Sequence, residues 1–257
     1  MSTTSTPRSS KAAPRRATPM SGTQGPLVAV CGLCGGAGAS TLAYLLARFM
    51  STSTDTASGA PRVLLVDAAG TTAGLSLYAG VSSSRSLGTL ADGLSQPRAS
   101  AQPIVATTAE GLRVIATAPV YEPEADRHGV ARILGDARRA HELTVVDCGT
   151  ASGPSARVAL DLASHIVWVL PATKSGVDRA SLALAGMTRR DAAEILVARR
   201  DGSAPRAAMR TLGSLADSRD AALVLMPQVV GLTPRDSSNA IEACSVTLQA
   251  IAGKVWR

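Results

Sequence analysis

Short, continuous apolar runs separated by amphipathic stretches run through most of this sequence, and they restrict the fold more than any other feature. Leu27-Val28-Ala29-Val30-Cys31, Val63-Leu64-Leu65-Val66, Leu143 to Val146, Ile166 to Leu170, Ile195-Leu196-Val197 and Leu223-Val224-Leu225 read as strands. Further strand signals lie around Ile104-Val105 and Leu112 to Ala116. None of the main runs alternates apolar with polar, so each strand is expected to be buried on both faces. Helical periodicity fills the gaps. It covers Ser40–Met50, with Leu42, Leu45, Leu46 and Phe49 on one face, and Leu87–Leu94, Gly129–His141 and Ser155–Ala163. It continues over Val177–Ala193, Arg206–Ala216 and Ser237–Ala252. The expected fold class is α/β, a three-layer arrangement with a mostly parallel sheet and helices on both faces. Ligands of such sheets bind at the carboxyl ends of the strands. Residues 32–40, Asp67 and Asp147 therefore belong to one expected crevice.

Aromatic residues make up only 2% of the chain, so its core must be built from Ala, Val, Leu and Ile. A length of 257 residues with 46% hydrophobic content is enough to bury such a core without cross-links. Four cysteines are too few for a disulfide scaffold. No apolar run approaches the ~18–20 residues of a membrane span. Arg15-Arg16 is not followed by the apolar segment of an export signal, so a cytoplasmic location is expected.

The net charge of +7 divides unevenly. Residues 1–26 hold Arg8, Lys11, Arg15 and Arg16 and no acid. They are rich in Ser, Thr, Pro and Ala and read as a disordered basic tail. Residues 27–257, read as one domain, carry only the remaining +3. Lysine is scarce: Lys11, Lys174 and Lys254 are the three in the chain, and none lies between residues 12 and 173.

That gap bears on the glycine-rich segment Cys31-Gly32-Leu33-Cys34-Gly35-Gly36-Ala37-Gly38-Ala39-Ser40-Thr41, which follows a strand and opens a helix. Small residues here let backbone N–H groups turn inward, and the helix N-terminus adds a positive field for phosphate. A dinucleotide fingerprint fits poorly, because Gly36-x-Gly38 is followed by Thr41 where a third glycine is needed. The alternative is a glycine turn that only packs a helix on the sheet.

Cys34-Gly35-Gly36-Ala37-Gly38-Ala39-Ser40-Thr41 resembles the K-G-G-x-G-K-[ST]-[ST] loop of the MinD/ParA ATPases, the deviant Walker A family of P-loop NTPases. Val63 to Ala69 resembles their second strand with its D-x-D ending, and Thr144 to Gly149 their Walker B strand. Ile166 to Pro171 stands where their next strand lies. The resemblance runs over residues 27–257. It implies an ATP or ADP site with Mg²⁺, nucleotide contacts from Gly35, Gly36, Ala37, Gly38, Ala39, Ser40 and Thr41, and metal contacts from Ser40, Asp67 and Asp147. It makes Asp67 the candidate catalytic residue. It also implies a homodimer or a protein partner, and a role in positioning or partitioning a cellular machine. The pilus-positioning TadZ/CpaE branch, whose nucleotide loops are altered too, is similar, although its receiver-like N-terminal domain has no counterpart in these 257 residues.

The departures from the family pattern are as informative. Its P-loop lysine position is Ala39, its signature lysine position is Cys34, and the second aspartate of its D-x-D is Ala69. Arg48, the nearest base, lies well into the helix. A lysine on phosphate makes charge-assisted hydrogen bonds worth about 1.5–3 kcal/mol each. Its charge also stabilises phosphoryl transfer. The expectation is a non-hydrolysing or weakly nucleotide-binding protein. Two alternatives stand: an active ATPase of this type, and a DNA-binding partition protein.

Other features carry two readings each. Asp67 and Asp147 are remnants of a metal and water-positioning set, or cap the strand exits. Cys31, Cys34 and Cys148 have the spacing of a metal or redox site, or pack as small hydrophobes. Arg138-Arg139, Arg189-Arg190 and Arg199-Arg200, with Arg206 and Arg210, suit nonspecific DNA, but Asp136, Asp191, Glu194 and Asp201 interleave with them as on a solvated face. Ile241, Leu248, Ile251 and Val255 form a stripe that closes the core or lies on a membrane surface, and the single basic end Lys254–Arg257 supports a lipid surface poorly.

Overall fold

A computed structural model describes residues 24–52, 62–70, 74–81, 87–95, 105–117, 126–202, 205–229 and 237–256. Eight strands form one sheet in the order β3-β4-β2-β5-β1-β6-β7-β8. They are β1 (Leu27–Gly32), β2 (Val63–Asp67), β3 (Ala106–Thr107), β4 (Arg113–Ile115), β5 (Leu143–Asp147), β6 (His165–Pro171), β7 (Ala193–Arg200) and β8 (Ala222–Pro227). Every pairing is parallel except the short β3–β4 hairpin at one edge.

The helices divide between the two faces, as the doubly buried strands require. On one face lie α3 (Leu87–Ser95), α4 (Arg127–Ala140), α5 (Pro154–Leu162), α6 (Lys174–Ala185) and α7 (Arg206–Ser218). They meet Leu27, Ala29 and Cys31 of β1 and Ile166, Trp168 and Leu170 of β6. On the other face lie α1 (Ala39–Thr52), α2 (Gly74–Ala79), α8 (Ser237–Ala243) and α9 (Ser245–Val255). These meet the intervening residues Val28, Val30, Val167 and Val169. The period-two division of each strand between two apolar layers is the physical basis of the three-layer fold.

The elements depart from the expected bounds at a few places. The helix expected over Val177–Ala193 ends at Ala185, because Gly186 closes it and the chain then turns into β7 at Ala193. The closing helix is broken at Cys244, whose carbonyl begins α9 by accepting from the Leu248 amide. Its stripe of Leu248, Ile251 and Val255 is buried in the core, with Ile241 packed at the edge. Helix α2 was not foreseen. The strand expected near Val105 is β3, antiparallel to its neighbour.

Most of the expected tail, residues 1–23, lies outside the described residues. The chain is already tied to the domain at Gly25 and Pro26. Gly25 donates to the Arg138 carbonyl and accepts from Arg138 Nε, and Pro26 accepts from the Thr144 amide. Among the described residues, no helix is long and apolar enough to cross a membrane.

Candidate functional site

Parallel register sets the site. Asp67 is the Cα partner of Asp147, Val30 is also paired with Asp147, and Gly32 is paired with Val169. On the other side of β6, Pro171 is paired with Arg199. The carboxyl ends of β2, β5, β1, β6 and β7 therefore share one edge. A cavity of about 410 Å³ opens there, lined by residues 34–41, by Gly32, Ala69 and Tyr78, and by Gly149, Thr150, Ser152, Arg199 and Val229. All seven residues expected to contact a nucleotide, Gly35 to Thr41, line it.

The loop is held at its base and open at its tip. Gly32 N–H donates to the Gly149 carbonyl at 2.6 Å, and Leu33 N–H to the Val169 carbonyl at 2.9 Å. Gly36 and Gly38 have φ of 71° and 102°, left-handed values that side chains rarely adopt. The Gly38 carbonyl accepts from the Leu42 amide, which makes Gly38 the residue on which α1 begins. Having no side chain, Gly38 cannot cap the first-turn amides, whereas Asp126 caps α4 and Thr173 caps α6. The first turn of α1 contains no acid. Its amides and dipole are thus available to an anion in the cavity.

The two aspartates end β2 and β5, with Asp67 1% and Asp147 0% exposed, and neither is among the residues that line the cavity. Each carboxylate accepts the amide two residues on, Asp67 from Ala69 and Asp147 from Gly149, both at 3.0 Å. Burial pushes the Asp147 carboxyl above its usual range, and hydrogen bonds from the Ser40 hydroxyl and the Gly149 amide oppose that shift. Asp147 Oδ2 meets no hydrogen-bond partner among the described residues. An orphaned buried carboxylate oxygen beside a hydroxyl is a hard-oxygen donor set of the kind Mg²⁺ takes. No group of three His, Cys, Asp or Glu among the described residues could hold an ion without help. These donors thus fit a magnesium ion that also has phosphate ligands, and do not fit a closed protein cage.

The cysteines separate. Cys31 and Cys148 belong to the apolar layer on one face, and Cys34 packs against the layer on the other. A hydrogen bond with Cys31, followed by burial, pushes the Cys148 thiol well up. These two thiols behave as buried small side chains, and Cys34 alone lines the cavity.

Several of the basic residues have structural partners. Arg48 pairs with Glu110 at 2.6 Å and is directed away from the loop. Arg138 is bound to the Gly25 and Leu162 carbonyls. Arg139 pairs with Asp136, and Arg190 with Asp161. Arg199 was missed as a site residue. It is the charged side chain of the cavity lining, and its Nη1 donates to the Gly36 carbonyl at 2.7 Å. Its place at the carboxyl end of a strand was the available signal, since that end faces the ligand edge.

No protein-family model matches the sequence, and no curated protein is similar to it in sequence. Solved structures do match in fold. A ParA family ATPase from Chlorobium tepidum superposes with a TM-score of 0.64 at 16% identity, over 90% of this chain and 93% of that one. The MinC:MinD cell division protein complex of Aquifex aeolicus gives 0.62 at 16% identity, over 89% and 96%. Cobyrinic acid a,c-diamide synthase from Mycobacterium smegmatis, solved with ADP and magnesium, gives 0.62 at 18% identity, over 89% and 94%. The chain has the P-loop fold of the MinD/ParA ATPases.

Proposed function

We propose that this protein is a cytoplasmic spatial organiser that holds a nucleotide without hydrolysing it at a significant rate, and that acts through dimerisation and partner binding. One observation carries the reading: residues 35–41 line the cavity with Gly36 and Gly38 in left-handed conformations, and Asp67 and Asp147 are buried at the adjoining strand ends, while Ala39 and Cys34 stand where the family resemblance puts lysines. The amides of residues 35–41 would hold the phosphates, and Ser40 with Asp147 would hold Mg²⁺, which when bound offsets phosphate charge. Asp67 is the candidate for orienting water, but a water so placed lacks the lysine charge that helps stabilise phosphoryl transfer. Binding survives on amides and dipole, and turnover suffers most. The fold match to a MinD in complex with MinC supports a partner-binding role.

The test is a calorimetric titration of ATP and ADP with Mg²⁺, paired with a phosphate-release assay. Binding without turnover above buffer is expected. Magnesium-dependent hydrolysis that Asp67→Ala abolishes would overturn the reading. It would favour a second one, an ATPase working without a lysine, for which Arg199 in the cavity speaks. That reading adds nucleotide-dependent dimerisation as its expected result.

A further inference from the structure

We infer that Arg199 is the phosphate-binding cation of this site, a guanidinium from β7 that serves the loop in place of a lysine from within it. The inference rests on the reading that the cavity takes a nucleoside di- or triphosphate, and it holds whether or not the nucleotide is hydrolysed.

Three observations converge. First, the loop and the first turn of α1 supply no cation, and Arg48 is engaged with Glu110. The lysines do not compensate. Lys174 sits at the start of α6 with its side chain 89% exposed and paired to Asp178. Arg199 is the one charged side chain among the described residues that line the cavity.

Second, the guanidinium lies directly over the anion-binding end of α1. A Cβ placed on Gly38 would meet Arg199 Nη1 at 3.4 Å and its Cδ at 3.7 Å. Gly38 is the residue on which α1 begins, so the arginine charge and the helix dipole act on the same volume. The tie from Nη1 to the Gly36 carbonyl fixes the head at the mouth of the loop.

Third, the head is oriented and still has donors to spare. Asp201 Oδ1 and Oδ2 accept from Nε and Nη2, both at 2.8 Å. With Nη1 on Gly36, three of the five N–H donors are used and two remain. A guanidinium held flat by a bidentate carboxylate, with two N–H donors unused and a place in the cavity lining, is pre-organised for a phosphate oxygen. Asp201 removes part of the charge, which suits modest affinity.

The experiment titrates the full chain with MgATP, inorganic tripolyphosphate and adenosine by calorimetry. It compares the native protein with R199A, R199Q and R199K. Gln is neutral and ends near where Arg199 Nε lies, so it removes the charge and the Nη1 tie to Gly36 while keeping most of the stem, and Ala removes the stem as well. R199A and R199Q are expected to weaken MgATP and tripolyphosphate by about tenfold or more and to leave adenosine unchanged. R199K should retain more tripolyphosphate affinity than R199Q. If the native chain binds MgATP and both neutral variants bind it equally well, the role of Arg199 is refuted and the nucleotide reading stands. Parallel weakening of adenosine and MgATP would mean a shaping role for Arg199 and would refute the inference too. If the native chain binds none of the three ligands, both readings fall together.

Discussion

Asp67 and Asp147 stand opposite each other at the carboxyl ends of neighbouring parallel strands, each accepting the amide two residues further on. Two buried acids in register, on the edge where α/β sheets bind ligands, are costly in a purely structural protein. Their cost falls when a cation occupies the edge. This predicts a pH-dependent stability. The unfolded Asp147 carboxyl titrates near its ordinary value of 3.8, whereas burial raises it in the folded chain. Between those two values the folded state holds more protons, so stability falls as pH rises through that window and then levels off. Asp147→Asn keeps an oxygen for the Gly149 amide and removes the charge. It should melt several degrees higher at pH 7, at roughly 2–4 °C per kcal/mol for a domain of this size, with a flatter pH profile. Mg²⁺ with ADP should raise the melting point of the native protein and not of the variant. Thermal scans from pH 4 to 8 decide it, and a lower melting point for the variant at pH 7 contradicts it.

Away from the site, Glu194 and Arg219 form a buried bidentate pair, with both contacts at 2.6 Å. Arg219 also donates to the Leu184 carbonyl at 3.1 Å, which ties the end of α7 to β7 and α6. Removing one partner leaves the other charge buried and alone, at a cost of about 3–5 kcal/mol. Urea unfolding of Glu194→Gln and of Arg219→Ala should show losses of that order. Joint replacement, Glu194→Leu with Arg219→Met, should recover most of the loss, because the desolvation cost of both charges disappears with them. A double variant as unstable as the single ones would show that the pair contributes net stability.

The loop glycines differ among themselves. Gly38 has φ of 102° and the Arg199 head above it, whereas an added Cβ at Gly35 meets nothing within 4 Å and φ there is not in the left-handed range. Gly38→Ala should therefore destabilise the fold by about 1–2 kcal/mol through its backbone, with the added Cβ in ordinary contact with the arginine head. It should also reduce MgATP affinity more than Gly35→Ala, which should be close to neutral in stability. Comparing the two alanine variants by denaturation and titration separates a backbone requirement from a general preference for small residues. Equal effects would remove the special role of residue 38.

The edge of the sheet was legible in the sequence because the central strands announce themselves as apolar runs and two of them, β2 and β5, stop at Asp67 and Asp147. The loop was legible because its chemistry is local: a strand, a glycine-rich run and a helix in unbroken order. Arg199 was not, because it reaches Gly36 from 163 positions away, and a pair of arginines beside an aspartate has the same pattern on any solvated face. Tyr78 reaches the cavity from α2, whose six residues are too few to show a helical period. Helix α6 was overextended because Met187 to Ala192 has ordinary helix composition, and only the geometry of Gly186 shows that the helix ends before it.

On the proposed reading the absence of lysine limits turnover, so supplying lysines at residues 39 and 34 should produce it. Ala39 lies in the first turn of α1 and lines the cavity, so a lysine there would direct its ammonium group toward the bound phosphates along the wall Arg199 faces. Ala39→Lys is expected to tighten MgATP binding by about tenfold, the worth of one charge-assisted hydrogen bond. Ala39→Lys combined with Cys34→Lys should raise phosphate release above the buffer rate, since the second lysine adds transition-state charge stabilisation. Adding Asp67→Ala to that double variant should return the rate to the buffer level while leaving binding largely intact. Calorimetry reads the first change and phosphate release the other two. Unchanged binding in Ala39→Lys, in a protein shown to be folded by its melting curve, would mean that the loop does not hold the phosphate chain against the start of α1.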